Sequence, residues 1–391
     1  MNLSDKITVI IPTHERHQYL KRSLGYWSKS NLQILVADSS GVKYQGQVPA
    51  NVHYFHYPDK SFTEKIVNVL SKVETDYSVF CSDKDFLVPN GIEKCVKFLE
   101  QNPDYSIAHG IKNSIMVQNE NLDYRFRRVF AVSRSQCVVI NDCALLRLQN
   151  HFQNYAATFY SIHRTRQLLR NFMLWNDLLS KTGHPYHRLG ELFSSGLSII
   201  YGKSKELDVL YQIRQIKPDI SVSSQLDWRD DIVADDFSVI YERAHNHFTE
   251  ELIKSAGIDE EEARDGAKEA LAYYIKPVLN KIAAKGNNLP KSSMVRSKIN
   301  HVIRKSKSLS FLVRTTLTNP ELLAMIILLP SREVYKQLYS DSSSKQIRNI
   351  VKDPKNRLTI ESLLSQSSPY HSDFMPIHNI VKRYPNGIER P

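Results

Sequence analysis

Ser78-Val79-Phe80-Cys81-Ser82-Asp83-Lys84-Asp85 is an apolar run that ends in two carboxylates one residue apart. In extended backbone, side chains i and i+2 point to the same side. Asp83 and Asp85 are therefore expected to converge on one hard cation, just past the carboxyl end of a strand. Open α/β sheets place their ligand sites there. A divalent ion in that position neutralises a diphosphate, which points to chemistry on nucleotide-activated substrates. Two acids at a strand end also serve simply to cap the following turn, and the segment alone leaves both readings open.

Working outward, Ile7-Thr8-Val9-Ile10-Ile11 is a β-branched run closed by Pro12, the pattern of a buried strand. Tyr19, Leu20, Leu24 and Trp27 then fall at helical spacing. Leu32 to Asp38 and Val52 to Tyr57 read as two more strands, the first ending in an acid. A helix is expected over Phe62 to Val73, then the strand Tyr77 to Cys81, then a helix over Ile92 to Gln101 stopped by Asn102-Pro103. Strands alternating with helices at this spacing make βαβ units and a mainly parallel sheet. From Asn113 to Cys143 the pattern turns extended and polar, as in a β-rich insertion. Leu168 to Ser180 and Leu189 to Tyr201 read as helical, the latter with room for a short strand, and Asp208 to Gln215 as extended.

Beyond about Asp235 the character changes. Phe237 to Ala256 and Glu260 to Ala284 form a helical pair joined at Gly257, and Gly286-Asn287-Asn288-Leu289-Pro290 breaks the pattern. Lys291, Arg296, Lys298, Arg304, Lys305, Lys307 and Arg314 follow, with Val295, Ile299, Val302 and Ile303 at helical spacing among them. A basic amphipathic helix suits an anionic membrane surface or a protein partner, a homo-oligomer included; a solvated helix face is the plainer reading. The tail from Ser340, rich in Ser, Asn and Pro, reads as loose or loosely docked.

The bulk properties bound these readings. At 391 residues two or three domains are expected, divided here into 1–235 and a helical region 236–391. A net charge of +11 favours phosphate-bearing partners or anionic surfaces. The basic segment has little aromatic interleaving apart from Phe311, so nucleic acid is not the expected partner. Cys81, Cys95, Cys137 and Cys143 include no CxxC pair, against a zinc site or disulfide scaffold and in favour of a reducing cytosol. The start of the chain lacks a signal-peptide pattern. The longest apolar run, Leu322 to Leu329, falls far short of the roughly 20 residues that span a bilayer. A cytoplasmic protein, peripheral on the inner membrane face at most, is the expectation.

Val9-Ile10-Ile11-Pro12-Thr13, Asp38 after the second strand, and Ser82-Asp83-Lys84-Asp85-Phe86-Leu87-Val88-Pro89 together resemble a family 2-type glycosyltransferase of the GT-A fold. The context, with Glu64-Lys65 beginning the helix before the DxD strand, is similar to bacterial surface-polysaccharide transferases. The resemblance covers roughly residues 5 to 220 and leaves out the C-terminal helices. It implies an α/β sheet with flanking helices, and a nucleotide-sugar donor. It also implies Mg²⁺ or Mn²⁺ on Asp83 and Asp85, with Asp85 the more direct ligand, and a glycan or lipid-linked acceptor. Pro12, Thr13 and Glu15 would touch nucleobase and ribose, Arg16 a phosphate, and Asp38 the nucleobase or ribose. Lys65 belongs to the same donor-binding set. The middle DxD position is often a carboxylate in similar proteins and is Lys84 here, which weakens the metal site or leaves a cation near the donor. Singly, Pro12-Thr13 is also an ordinary strand stop and Asp38 an ordinary turn cap.

Glycosyl transfer needs a neutralised leaving diphosphate, an oriented sugar and a base for the acceptor hydroxyl. In an inverting enzyme that base is a single carboxylate. Glu191 in His187-Arg188-Leu189-Gly190-Glu191-Leu192-Phe193 is the candidate and Asp177 the runner-up. Arg188 is placed either to bind an acceptor anion or to pair with Glu191, and Arg214 to return a cation to the diphosphate. His184 and His187 are separated by Pro185, and His245 and His247 fall on different helix faces, so neither pair is a metal site. No GxxxxGK[ST] or GxGxxG loop occurs, which excludes P-loop and dinucleotide-binding enzymes. Two alternatives stay open: a sugar nucleotidyltransferase, which would want a Gly-rich loop after the first strand, and a catalytically silent scaffold of the same fold.

Overall fold

Ile7, Val9 and Ile11 of strand β1 (Ile7–Thr13) are fully buried in one apolar cluster, and Ile10 between them in another. That alternation puts β1 at the centre of a sheet covered on both faces. The structure is a computed structural model describing residues 2–120, 123–131, 138–180, 182, 187–216, 236–286, 360–385 and 387. β2 (Gln33–Asp38), β3 (Val52–His56) and β4 (Tyr77–Phe80) join β1 in parallel, in the order β3-β2-β1-β4. Register puts Thr13 beside Asp38 and Asp38 beside His56, so three strand ends finish together.

The sheet continues past β4 through β8 (Ile162–Arg164), β6 (Tyr105–Glu120), β9 (Lys203–Ile216) and β5 (Phe86–Leu87), with β7 (Asp123–Ala131) on the outside of β6. β8 is antiparallel to both β4 and β6, β9 runs parallel to β6, and β5 is antiparallel to β9. This mixed, mainly parallel sheet with flanking helices agrees with the GT-A class expected from the sequence. The β-rich insertion is the β6–β7 hairpin. The extended segment at Asp208 begins earlier than expected, at Lys203.

One face carries α1 (His17–Trp27) and α3 (Pro89–Gln101); the other carries α2 (Phe62–Leu70), α4 (Ala144–Gln153), α5 (Thr165–Leu179) and α6 (His187–Tyr201). α2 starts two residues before Glu64, at a capping box. The Ser61 hydroxyl accepts from Glu64 N–H, and the Glu64 carboxylate accepts from Ser61 N–H. α7 (Phe237–Ala256) and α8 (Glu260–Gly286) share the core of α4 to α6 and are joined, as expected, at Gly257, whose φ of 63° suits glycine.

Of the tail expected to be loose or loosely docked, the described part is docked. α9 (Ile360–Leu364) and α10 (His371–Arg383) are docked helices. Leu363, Phe374, Ile377 and Val381 are buried in the same cluster as Ile7, Leu24 and Trp27. Phe374, Ile377 and Val381 recur at helical spacing, so one narrow apolar stripe suffices to seat the helix against α1. The basic stretch from Lys291 to Arg314 and the run Leu322 to Leu329 lie outside the described residues. No described helix is long and apolar enough to cross a membrane.

Phe374→Ala tests this docking. Truncating a fully buried phenylalanine costs about 3–5 kcal/mol. A urea midpoint unchanged from wild type would show that α10 contributes nothing to the fold.

Candidate active site

The strand-end motif is a turn rather than a continuation of β4. Asp85 N–H donates to Ser82 O at 2.9 Å, closing a four-residue turn over Ser82–Asp85. The i, i+2 rule of extended backbone therefore does not hold at Asp83 and Asp85, and their carboxylates go to different partners. Asp83 Oδ2 accepts from Thr13 Oγ1 at 2.7 Å and lies 3.1 Å from Arg16 Nε. Asp85 Oδ1 accepts from Gln215 N–H at 3.0 Å, and Arg214 Nε lies 3.8 Å from its Oδ2. Both carboxylate side chains are fully buried. Burial pushes both above the ordinary carboxylate value; Arg16 pulls Asp83 back, and Arg214 and Lys84 pull Asp85 back.

Arg22, which nothing in the sequence singled out, sits under this turn. Its Nη2 donates to Lys84 O at 2.8 Å, and its Nη1 to Gln215 Oε1 at 2.6 Å and to Tyr384 O and Pro385 O at 3.1 Å each. Burial lowers its pKa to about 10, so it stays charged at neutral pH. Gln215 Nε2 also donates to Pro385 O at 2.8 Å. The turn, the end of β9 and the segment after α10 thus meet on one guanidinium.

The loop after β1 is tied to the loop after β2. Glu15 takes φ of 52°, unusual for a side-chain-bearing residue. Its N–H donates to Ser40 Oγ at 2.7 Å, and its carboxylate accepts from Gly41 N–H at 2.6 Å. Lys65 reaches in from α2, donating to Thr13 O at 2.6 Å and Ser39 Oγ at 2.8 Å. Burial lowers its ammonium to about 8. Asp38 is fully buried and accepts from Ser40 N–H, Ser40 Oγ, Tyr54 OH and His17 Nε2 at 2.6–2.8 Å. Burial opposes its charge, yet these bonds outweigh it and hold Asp38 below its ordinary value. In this arrangement Asp38 and Lys65 brace the loops that Thr13, Glu15 and Arg16 present, while Pro12 is half-buried at the end of β1.

Across from the turn stands Glu191, in the second turn of α6. The helix start is pressed onto α5, for a Cβ at Gly190 would lie 2.0 Å from the Trp175 ring. Glu191 is solvent-accessible yet has protein atoms crowded around it. Burial raises its pKa, opposed by Arg214 and then Arg188. Arg214 also lies 5.6 Å from the Tyr160 ring centre, and the Tyr160 phenol feels Asp85, Arg214 and Glu191 together. Asp85, Arg214, Tyr160 and Glu191 therefore share one neighbourhood.

No family model and no curated protein matches this sequence. The chain is similar to the crystal structure of S. aureus TarS 1-349, with TM-score 0.47 and 12% identity, covering 82% of this chain and 88% of that one. The same fragment in complex with UDP-GlcNAc gives 0.49 and 14%, over 82% and 88% of the two chains. In complex with UDP it gives 0.48 and 14%, over 88% and 89%. The functional reading rests on this chain's own residues.

Asp177, the runner-up for the base, is paired with Arg243 at 3.2 Å and His247 at 3.3 Å, which ties α5 to α7. The expected divalent-metal site on Asp83 and Asp85 does not fit the residues as arranged. Asp83 is engaged by Thr13 and Arg16, and the one carboxylate oxygen without a hydrogen bond, Asp85 Oδ2, lies beneath Arg214. Among the described residues no group of three His, Cys, Asp or Glu side chains comes together as a ligand set.

Asp38→Asn puts an amide N–H against a hydrogen-bond donor and should destabilise the fold by about 1–3 kcal/mol at neutral pH. Because the folded pKa is depressed, Asp38 contributes stability above its unfolded pKa and loses it as pH falls through the folded value. The difference in melting temperature between wild type and Asp38→Asn should therefore shrink in acid. A difference that is constant with pH would exclude the ionised carboxylate as its source.

Proposed function

We propose that this chain is an inverting glycosyltransferase that moves a sugar from a nucleotide-sugar donor to a surface-polysaccharide or lipid-linked glycan acceptor. The observation that carries the reading is Arg214, which lies 3.8 Å from Asp85 of the strand-end turn and also acts electrostatically on Glu191. A cation suited to a leaving diphosphate and a carboxylate suited to an attacking hydroxyl thus act on the same small volume. Open α/β sheets bind ligands at this end of their strands.

In the reaction the acceptor oxygen attacks the anomeric carbon as the bond from that carbon to the diphosphate oxygen breaks. The acceptor proton passes to Glu191, and the electron pair of the broken bond leaves on the nucleoside diphosphate. Arg214, Lys84 and Arg16 meet the charge that develops on the leaving group. The exposed His14, Glu15 and Gly41, fixed through Ser39 and Ser40, offer the rim on which the nucleoside would lie. Protein atoms crowded around the solvent-accessible Glu191 raise its carboxyl above the ordinary value.

The test is nucleotide release from a panel of UDP-, GDP- and CDP-sugars with glycan and lipid-linked acceptors. Glu191→Gln should bind donor as wild type does and lose roughly 10²- to 10⁴-fold in transfer. The wild-type rate should rise with pH through a value above 4.5, as the base form of Glu191 appears, and that limb should be absent from Glu191→Gln. Full transfer by Glu191→Gln would remove it from the mechanism.

A further inference from the structure

Resting on the nucleotide-sugar reading above, we infer that the donor diphosphate is held by the chain's own cations, with Lys84 at their centre, and that donor binding requires no divalent metal. Three observations carry this.

First, the carboxylates that would hold a metal are already engaged. Asp83 bonds Thr13 and pairs with Arg16, while Asp85 accepts from Gln215 N–H and faces Arg214. Arg16 and Arg214 reach these carboxylates from opposite ends of the sheet sequence, one from the β1 loop and one from β9.

Second, the Lys84 ammonium makes no hydrogen bond or ion pair among the described residues, although the side chain is only half-exposed. Its backbone is anchored, since Lys84 O accepts from the buried Arg22. An unpaired charge partly out of water is unfavourable until an anion meets it.

Third, the sum of charges around the turn favours an anion. Arg16, Lys84 and Arg214 face Asp83 and Asp85. A dication entering this set meets like charge, whereas a diphosphate supplies what the set lacks.

The experiment has a metal arm and a nucleotide arm. The free-ion electron paramagnetic resonance signal of Mn²⁺ is followed as the full chain is added, for wild type and Lys84→Asp. Wild type should leave the signal unchanged and Lys84→Asp should diminish it. Binding of UDP, GDP and CDP is measured by calorimetry in EDTA and in Mn²⁺. Wild type should bind its nucleotide equally in both, and Lys84→Met should bind roughly 10- to 100-fold more weakly, the range for one charge-assisted hydrogen bond. Lys84→Arg, which keeps the charge, should restore most of that loss. Mn²⁺ uptake by wild type, nucleotide binding abolished by EDTA, or wild-type affinity in Lys84→Met would each overturn the inference while leaving the nucleotide site standing. Failure of every nucleotide to bind with and without Mn²⁺ would overturn both readings.

Discussion

Taking a guanidinium out of water is strongly unfavourable unless its N–H groups find acceptors, and Arg22 finds them in three distant parts of the chain. Lys84 O comes from the turn after β4, Gln215 from the end of β9, and two carbonyls from the segment after α10. The rings of Tyr19 and Phe86 cover the guanidinium at 5.2 and 4.9 Å from their centres. Because one planar fork holds all of these acceptors, a shift of any of them disturbs a buried charge-assisted contact. The Asp83–Asp85 turn therefore has a fixed height above the sheet. Gln215 extends the constraint, since its backbone N–H holds Asp85 while its side chain is held by Arg22 and Pro385.

On that base the site is a set of charges placed before any ligand arrives. Asp83 and Asp85 are buried beside Arg16 and Arg214, so each acid is kept by a cation that itself reaches solvent. This is preorganisation in the electrostatic sense, in which groups facing a developing charge need little rearrangement. Glu191 differs from the buried pair in being open to solvent, as a group that exchanges protons with a substrate must be.

Much of the sheet was legible because its strands are long apolar runs. Ile7 to Ile11, Leu32 to Asp38 and Tyr77 to Cys81 form β1, β2 and β4 with ends within a residue or two. β5 and β8 were not legible, being two and three residues long and paired with partners far away in sequence. Periodicity needs more residues than that. α10 carried its signal in Phe374, Ile377 and Val381, but the Ser, Asn and Pro of the tail around them read as loose or loosely docked. At the site, the residue types at the strand ends were readable while their partners were not. Asp38 looked like a ligand contact and bonds four protein donors; Arg22 looked like one polar residue among Tyr19, Leu20 and Leu24. Hydrogen bonding across 362 residues leaves no trace in local pattern.

That separation has a consequence in time. Synthesis proceeds from the N-terminus at about 5–20 residues per second, and N-terminal parts fold first. Tyr384 and Pro385 lie 362 and 363 residues beyond Arg22, so their carbonyls emerge roughly 20–70 s after it at that rate. β1 to β4 can assemble on the growing chain, but the turn that carries Asp83 and Asp85 waits on strands and carbonyls not yet made. A nascent chain stalled before residue 384 would hold a sheet without a finished anchor beneath that turn. The order of translation thus makes the first motif in the sequence one of the last places to become rigid.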